Sequence, residues 1–133
     1  MRDTQTKLFE EDALMDINGL GAWGETRAAR YLMFRGYRLL ERNFSCRYGE
    51  IDIIAAKRGY VVFVEVKLRK NADFGEAKDF VTVSKQNKVR AAAEIWLSKN
   101  ETELDPRFDV IEIYAPNGMS RRGLIINHLE NAF

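Results

Sequence analysis

Apolar residues recur at helical spacing from about Leu20 to Arg35. Gly21, Ala22, Ala28, Ala29 and Leu32 make one small, apolar stripe, Trp23 and Phe34 fall on the opposite side, and Gly36 ends the run. "YRLLERNF" then suggests a first strand. Residues 49–56 and 60–68 read as a second and third strand around a "KRG" turn. Both are rich in Val, Ile and Phe, which suits a largely buried pleated surface. "SKQNKVRAAAEIWLSKN" returns to helical spacing, with Thr82 or Ser84 as its cap and Asn100 as its stop. After Pro106 come a fourth strand, "RFDVIEIY", an "APNG" turn, and "GLIINHLENAF" as a fifth strand with a short tail. Helix, three strands, helix, two strands predicts an α/β protein, a mixed sheet flanked by helices. No internal repeat or low-complexity linker divides it.

Charged residues interrupt the second and third strands where Val or Ile would be ordinary. Strand side chains alternate, so Glu50 and Asp52 lie on one face of the second strand, and Glu65 and Lys67 lie on one face of the third, with Val64 and Val66 on the other side. In a hairpin, Asp52 and Glu65 become cross-strand neighbours. Two close carboxylates repel and lose hydration, and a divalent cation such as Mg²⁺, which prefers oxygen ligands, offsets both costs. With Lys67 at the same spot, the set reads as metal-assisted phosphodiester hydrolysis. The hairpin alone is read equally well as an internal salt bridge of Lys67 with Glu65 or Asp52 at a strand end.

The helices add to this. Glu25 falls in line with the first helix's small stripe and so points inward, against the simpler role of a first-turn glutamate favoured by the helix dipole. In the second helix, Lys85 and Gln86 fall in line with Val89, Ala92, Ala93 and Trp96. They either face an active-site edge or form a solvated first turn, and taken alone the solvated turn is preferred.

Composition narrows the class. The chain has 133 residues, 46% hydrophobic and 31% charged, which fits one folded domain with a real core. A single cysteine, Cys46, excludes an internal disulfide and fits a reducing compartment. The lone histidine, His128, sits among apolar neighbours and reads as packing. No apolar run is long enough to span a bilayer, and the first residues lack the pattern of a signal peptide, so no membrane and a cytoplasmic location are expected. The net charge of +1 hides an acidic lead: residues 17–133 hold 19 basic and 15 acidic residues. Residues 1–17 are expected to be a flexible acidic tail and 18–133 the domain.

Taken in order, "LGAWGETRAARYLMFRGYRLLERNF", "RYGEIDIIA", "VFVEVKLRK", "FGEAKDFVTVSKQNKVRAAAEIWL", "RFDVIEI" and the closing "INHLENAF" resemble the YraN-like family of small bacterial proteins, over roughly residues 18–133. That family is similar to the PD-(D/E)XK nucleases and, among them, to archaeal Holliday-junction resolvases. The resemblance implies a restriction-endonuclease-like αβββαβ core around a Mg²⁺ site, with Mn²⁺ as a substitute. It makes Asp52 the first acid of the motif, and Glu65 and Lys67 its (D/E)XK half. Val66 lends a carbonyl to the metal, Glu25 takes the place of the first-helix glutamate of the resolvases, and Gln86 in "SKQ" matches a polar position near such sites. The literal proline is absent: Ile51 precedes Asp52.

A nuclease must also hold a polyanion, and Arg47, Arg69, Lys70, Lys85, Lys88, Arg121 and Arg122 are the candidate phosphate contacts. No base-reading module is visible, so DNA recognised by shape (a junction, flap or end) is expected, with RNA left open. The resolvase likeness raises a twofold homodimer. Two rivals stay beside the nuclease: a nucleic-acid-binding module that does not cut, and a protein-interaction adaptor in which the acidic cluster is a structural ion-pair network.

Overall fold

The computed structural model describes residues 17–69 and 81–133. Residues 1–16 of the acidic tail expected over 1–17, and the candidate Lys70, lie outside the described residues. The elements are α1 (Ile17–Phe34), β1 (Arg38–Cys46), β2 (Gly49–Lys57), β3 (Tyr60–Arg69), α2 (Val83–Lys99), β4 (Asp105–Tyr114) and β5 (Ile125–Leu129). This is the αβββαβ order expected, with a fifth strand.

The five strands form one mixed sheet in the order β1-β2-β3-β4-β5. β1–β2, β2–β3 and β4–β5 are antiparallel, while β3 and β4 run parallel from Tyr60↔Asp105 to Arg69↔Tyr114. A parallel pair needs a crossover, which α2 supplies. β3 is central and covered on both faces, so "VVFV" is continuous rather than alternating. β4 begins ahead of its expected start because the Asp105 N–H bonds the Gly59 carbonyl at 2.9 Å.

Helix α1 lies on one face, packing Ala28, Ala29 and Leu32 against Ile53, Val62, Val64 and Ile111. Helix α2 lies on the other, with Val89, Ala92, Ala93 and Trp96 against Ile51, Ile54 and Phe63. The alanines let both helices approach the sheet closely. Trp23 is buried although it falls outside the predicted stripe, whereas Phe34 is 92% exposed. Gly36, at φ +90°, closes α1: its N–H bonds Met33 O at 3.0 Å and the Tyr37 N–H bonds Leu32 O at 2.9 Å. This is a glycine C-cap of the Schellman type. Thr82 caps α2 by accepting from the Lys85 N–H at 3.1 Å.

Candidate active site at a fork in the sheet

The β2–β3 ladder runs from Lys57↔Tyr60 and ends at Ile53↔Val64. Beyond it, β2 pairs with β1 alone, down to Cys46↔Gly49, while β3 continues along β4. The sheet therefore forks at the next step, where Asp52 and Glu65 would have faced each other. Ile51 belongs to the α2-side core and Ile53 to the α1-side core, although they are two residues apart. Strict alternation is broken at Asp52. Its carboxylate bridges the fork: Oδ2 accepts the Val66 N–H at 2.8 Å.

Glu65 stands on the same arm of β3, 5% exposed. Its Oε1 lies 3.9 Å from the Lys67 amine and 3.6 Å from the Lys85 amine. Its Oε2 is buried without a hydrogen-bond partner. Burial and then the charge of Asp52 push Glu65 up to about 7, against the pull of Lys85 and Lys67. Burial, the charge of Asp52 and a hydrogen bond to it also push Glu25 up to about 7. Asp52 is itself raised, mainly by burial, with the Val66 N–H, Lys85 and Glu25 opposing. At neutral pH these carboxyls together hold protons that free ones would have lost.

Glu25, Asp52, Glu65 and Lys67 are thus brought together, and Glu25 does point inward. Lys85 joins them, so the preference for a solvated α2 first turn is corrected: helix docking aims its amine at Glu65. Gln86 instead turns its amide to the Val81 carbonyl at 3.2 Å, beside a groove of about 690 Å³ lined by Val81, Val110, Leu129 and Phe133. Arg47 is exposed at the β1–β2 turn, donating to Tyr48 Oη at 2.9 Å and lying 4.8 Å over its ring. Lys88 is exposed close by, its Cβ 3.9 Å from where Gly49 would carry one. Arg69 is mostly covered and its Nε lies 2.7 Å from Glu112 Oε2. Sequence reading did not single out Glu112, since nothing local marks a strand glutamate as buried.

The oxygen-rich donor set of Asp52 and Glu65, with one buried oxygen left without a partner, fits a hard divalent cation. Among the described residues no group of three His, Cys, Asp or Glu side chains is arranged to hold a metal alone. Mg²⁺ does not require such a cage, because it commonly binds through one or two carboxylates plus water and substrate phosphate.

A recessed carboxylate pair with two lysines, at a fork in an α/β sheet, defines the molecule. The UPF0102 profile, described as an uncharacterised protein family, matches residues 24–113, and the chain belongs to that family. A UPF0102 protein of Caldanaerobacter subterraneus subsp. tengcongensis is 42% identical over 116 residues, 86% of this chain and 93% of the relative. Another from Syntrophomonas wolfei is 44% identical over 116 residues, covering 86% and 96%. One from Rhodococcus opacus is 42% identical over 115 residues, covering 86% and 95%. Among the described residues no helix is long and apolar enough to cross a membrane.

Proposed function

We propose that the protein is a Mg²⁺-dependent endonuclease that hydrolyses DNA phosphodiester bonds, selecting its substrate by shape. The observation that carries this reading is the fork, which gathers Asp52, Glu65 and Lys67 and leaves Glu65 Oε2 buried without a partner. The likeness to YraN-like proteins and PD-(D/E)XK nucleases supports it, since these are the motif positions of that chemistry.

Asp52, Glu65 and the Val66 carbonyl would hold the ion, with Glu25 in support. Bound there, Mg²⁺ or Mn²⁺ offsets phosphate charge and makes water a better nucleophile. Lys67 orients the attacking water and neutralises charge developing on the phosphate. Lys85 keeps a second positive charge beside Glu65 and faces the incoming backbone from α2. Arg47 and Lys88 extend that positive surface along the β1–β2 turn. A twofold dimer, acting on both strands of a junction, belongs to the same reading, and a cytoplasmic location is consistent with it.

The test is cleavage of labelled single strands, duplexes, flaps, four-way junctions and RNA with Mg²⁺, Mn²⁺ or EDTA, beside Asp52→Ala and Lys67→Ala. Metal-dependent cutting lost in both variants is expected. Shape-selective binding without cutting, intact in both variants, would overturn the reading in favour of a binding module.

A further inference from the structure

We propose that Arg27, Arg30 and Arg121 form a second phosphate-binding site, which receives a nucleic-acid backbone on the α1 side of the fork. The choice of nucleic acid rests on the nuclease reading; the anion site itself does not.

Arg27 and Arg30 are three apart on α1 and share a side of the helix. Arg121 comes from the loop between β4 and β5. That loop leaves the sheet at the end where the fork lies: the Ala115 N–H bonds the Arg69 carbonyl at 2.7 Å, and Arg69 ends the strand that carries Glu65 and Lys67. Helix α1 reaches the same end, where a Cβ on Gly24 would lie 3.2 Å from Leu68 Cδ1. The fold thus brings the α1 arginines and a residue some ninety positions away to one rim.

The rim is built rather than loose. The Leu124 N–H bonds the Arg121 carbonyl at 3.2 Å, Asn117 Nδ2 donates to the Arg122 carbonyl at 2.8 Å, and Leu124 packs against the α1-side core. Gly123 takes φ +72°, a left-handed conformation that an L side chain rarely adopts. The Arg27 guanidinium is held 5.3 Å over the ring of Trp23, itself 4% exposed.

Arg27 lies within the field of both other cations. Burial first, then Arg30 and Arg121, lower the Arg27 pKa. Among the described residues no carboxylate forms an ion pair with any of the three. Holding like charges together is unfavourable, and an anion relieves it. Arginine forks suit phosphate oxygens in particular. With Lys67, Lys85 and Lys88 on the α2 side, positive surfaces then flank the carboxylates on both faces of the sheet. Such a surface suits a substrate broad enough to reach both, as a duplex or a branch is.

The test is fluorescence anisotropy of labelled duplex and four-way junction DNA in EDTA across a salt series. It compares wild type with Arg27→Gln/Arg30→Gln/Arg121→Gln, with Arg121→Gln alone, and with Arg58→Gln at the opposite end of the sheet. Each phosphate contact adds about 0.9 to the slope of log affinity against log salt. The triple variant is expected to lose about 2–3 of that slope and at least about tenfold in affinity, and Arg121→Gln about 0.9. Arg58→Gln should match wild type. Triple and single variants that both match Arg58→Gln would overturn the proposal, as would a wild type that binds no nucleic acid. Inorganic phosphate titrated in parallel separates the sources: an arginine-dependent rise in melting temperature with an unchanged DNA slope would mark a small-anion site and overturn the nucleic-acid assignment. Cleavage by wild type with an unchanged slope would end this inference alone. A reduced slope, with no cleavage by wild type, would end the nuclease reading alone.

Discussion

The Glu65 carboxyl is buried beside Asp52 and sits at about 7, above its ordinary 4.5. A raised carboxyl pKa means that the folded chain binds a proton more readily than the unfolded chain. Its contribution to stability is full below about 4.5 and is lost as pH rises to about 7. Glu25 titrates in the same window with the same sign. Urea midpoints of the metal-free protein should therefore fall between pH 5 and 7.5, and Glu65→Gln should flatten that fall. Mg²⁺ should raise the melting temperature at pH 8 in wild type and much less in Asp52→Asn. On the nuclease reading, Lys67→Ala should lower kcat by about 10²–10³-fold, measured on the best substrate of the panel.

Helix α2 couples local packing to the site, because Lys85 lies in its first turn and Ala92 and Ala93 set its distance from the sheet. Ala93→Leu should cost about 1–3 kcal/mol by overpacking. By lifting the helix it should also weaken Mg²⁺-dependent stabilisation less than it weakens nucleic-acid binding. Thr82→Ala removes the cap and should cost about 1 kcal/mol in urea unfolding. The strands contribute differently. Ending the β2–β3 ladder at Ile53↔Val64 leaves the Val66 N–H, on the β3 arm beyond it, to the Asp52 carboxylate.

Across the whole molecule, one buried network ties the distant parts together. Asp109, fully buried, takes both Arg107 Nε and Nη2 at 2.9 and 2.8 Å, and the Asn131 N–H at 2.9 Å. His128 Nε2 lies 2.7 Å from Asp109, and its Nδ1 lies 3.2 Å from Tyr31 Oη on α1. Burial pushes Asp109 up, but the hydrogen bonds from His128, Arg107 and Asn131 outweigh it and hold the group below its ordinary value. That stabilisation is present above the unfolded pKa and is lost on acidification. Asp109→Ala leaves the half-buried Arg107 without its two-point carboxylate partner and should cost about 3–5 kcal/mol, read as a lower urea midpoint at pH 7. Metal-free protein should then be most stable at mildly acid pH, between the loss from Asp109 below and that from Glu25 and Glu65 above.

What the sequence by itself determined is local. Helical spacing and the stop at Gly36 mark α1, Thr82 or Ser84 marks the start of α2, and alternation puts Glu65 and Lys67 on one face of β3, because each signal lies within a few residues. The inward aim of Glu25 was legible for the same reason. Tertiary structure alone decided the fork, the reach of Lys85 to Glu65, the burial of Glu112 against Arg69, and the placement of the Arg121 loop at the α1 end of the sheet. These depend on where a ladder ends and how a helix docks. Periodicity carries no information about either, since the partners are set by packing between segments far apart in the chain.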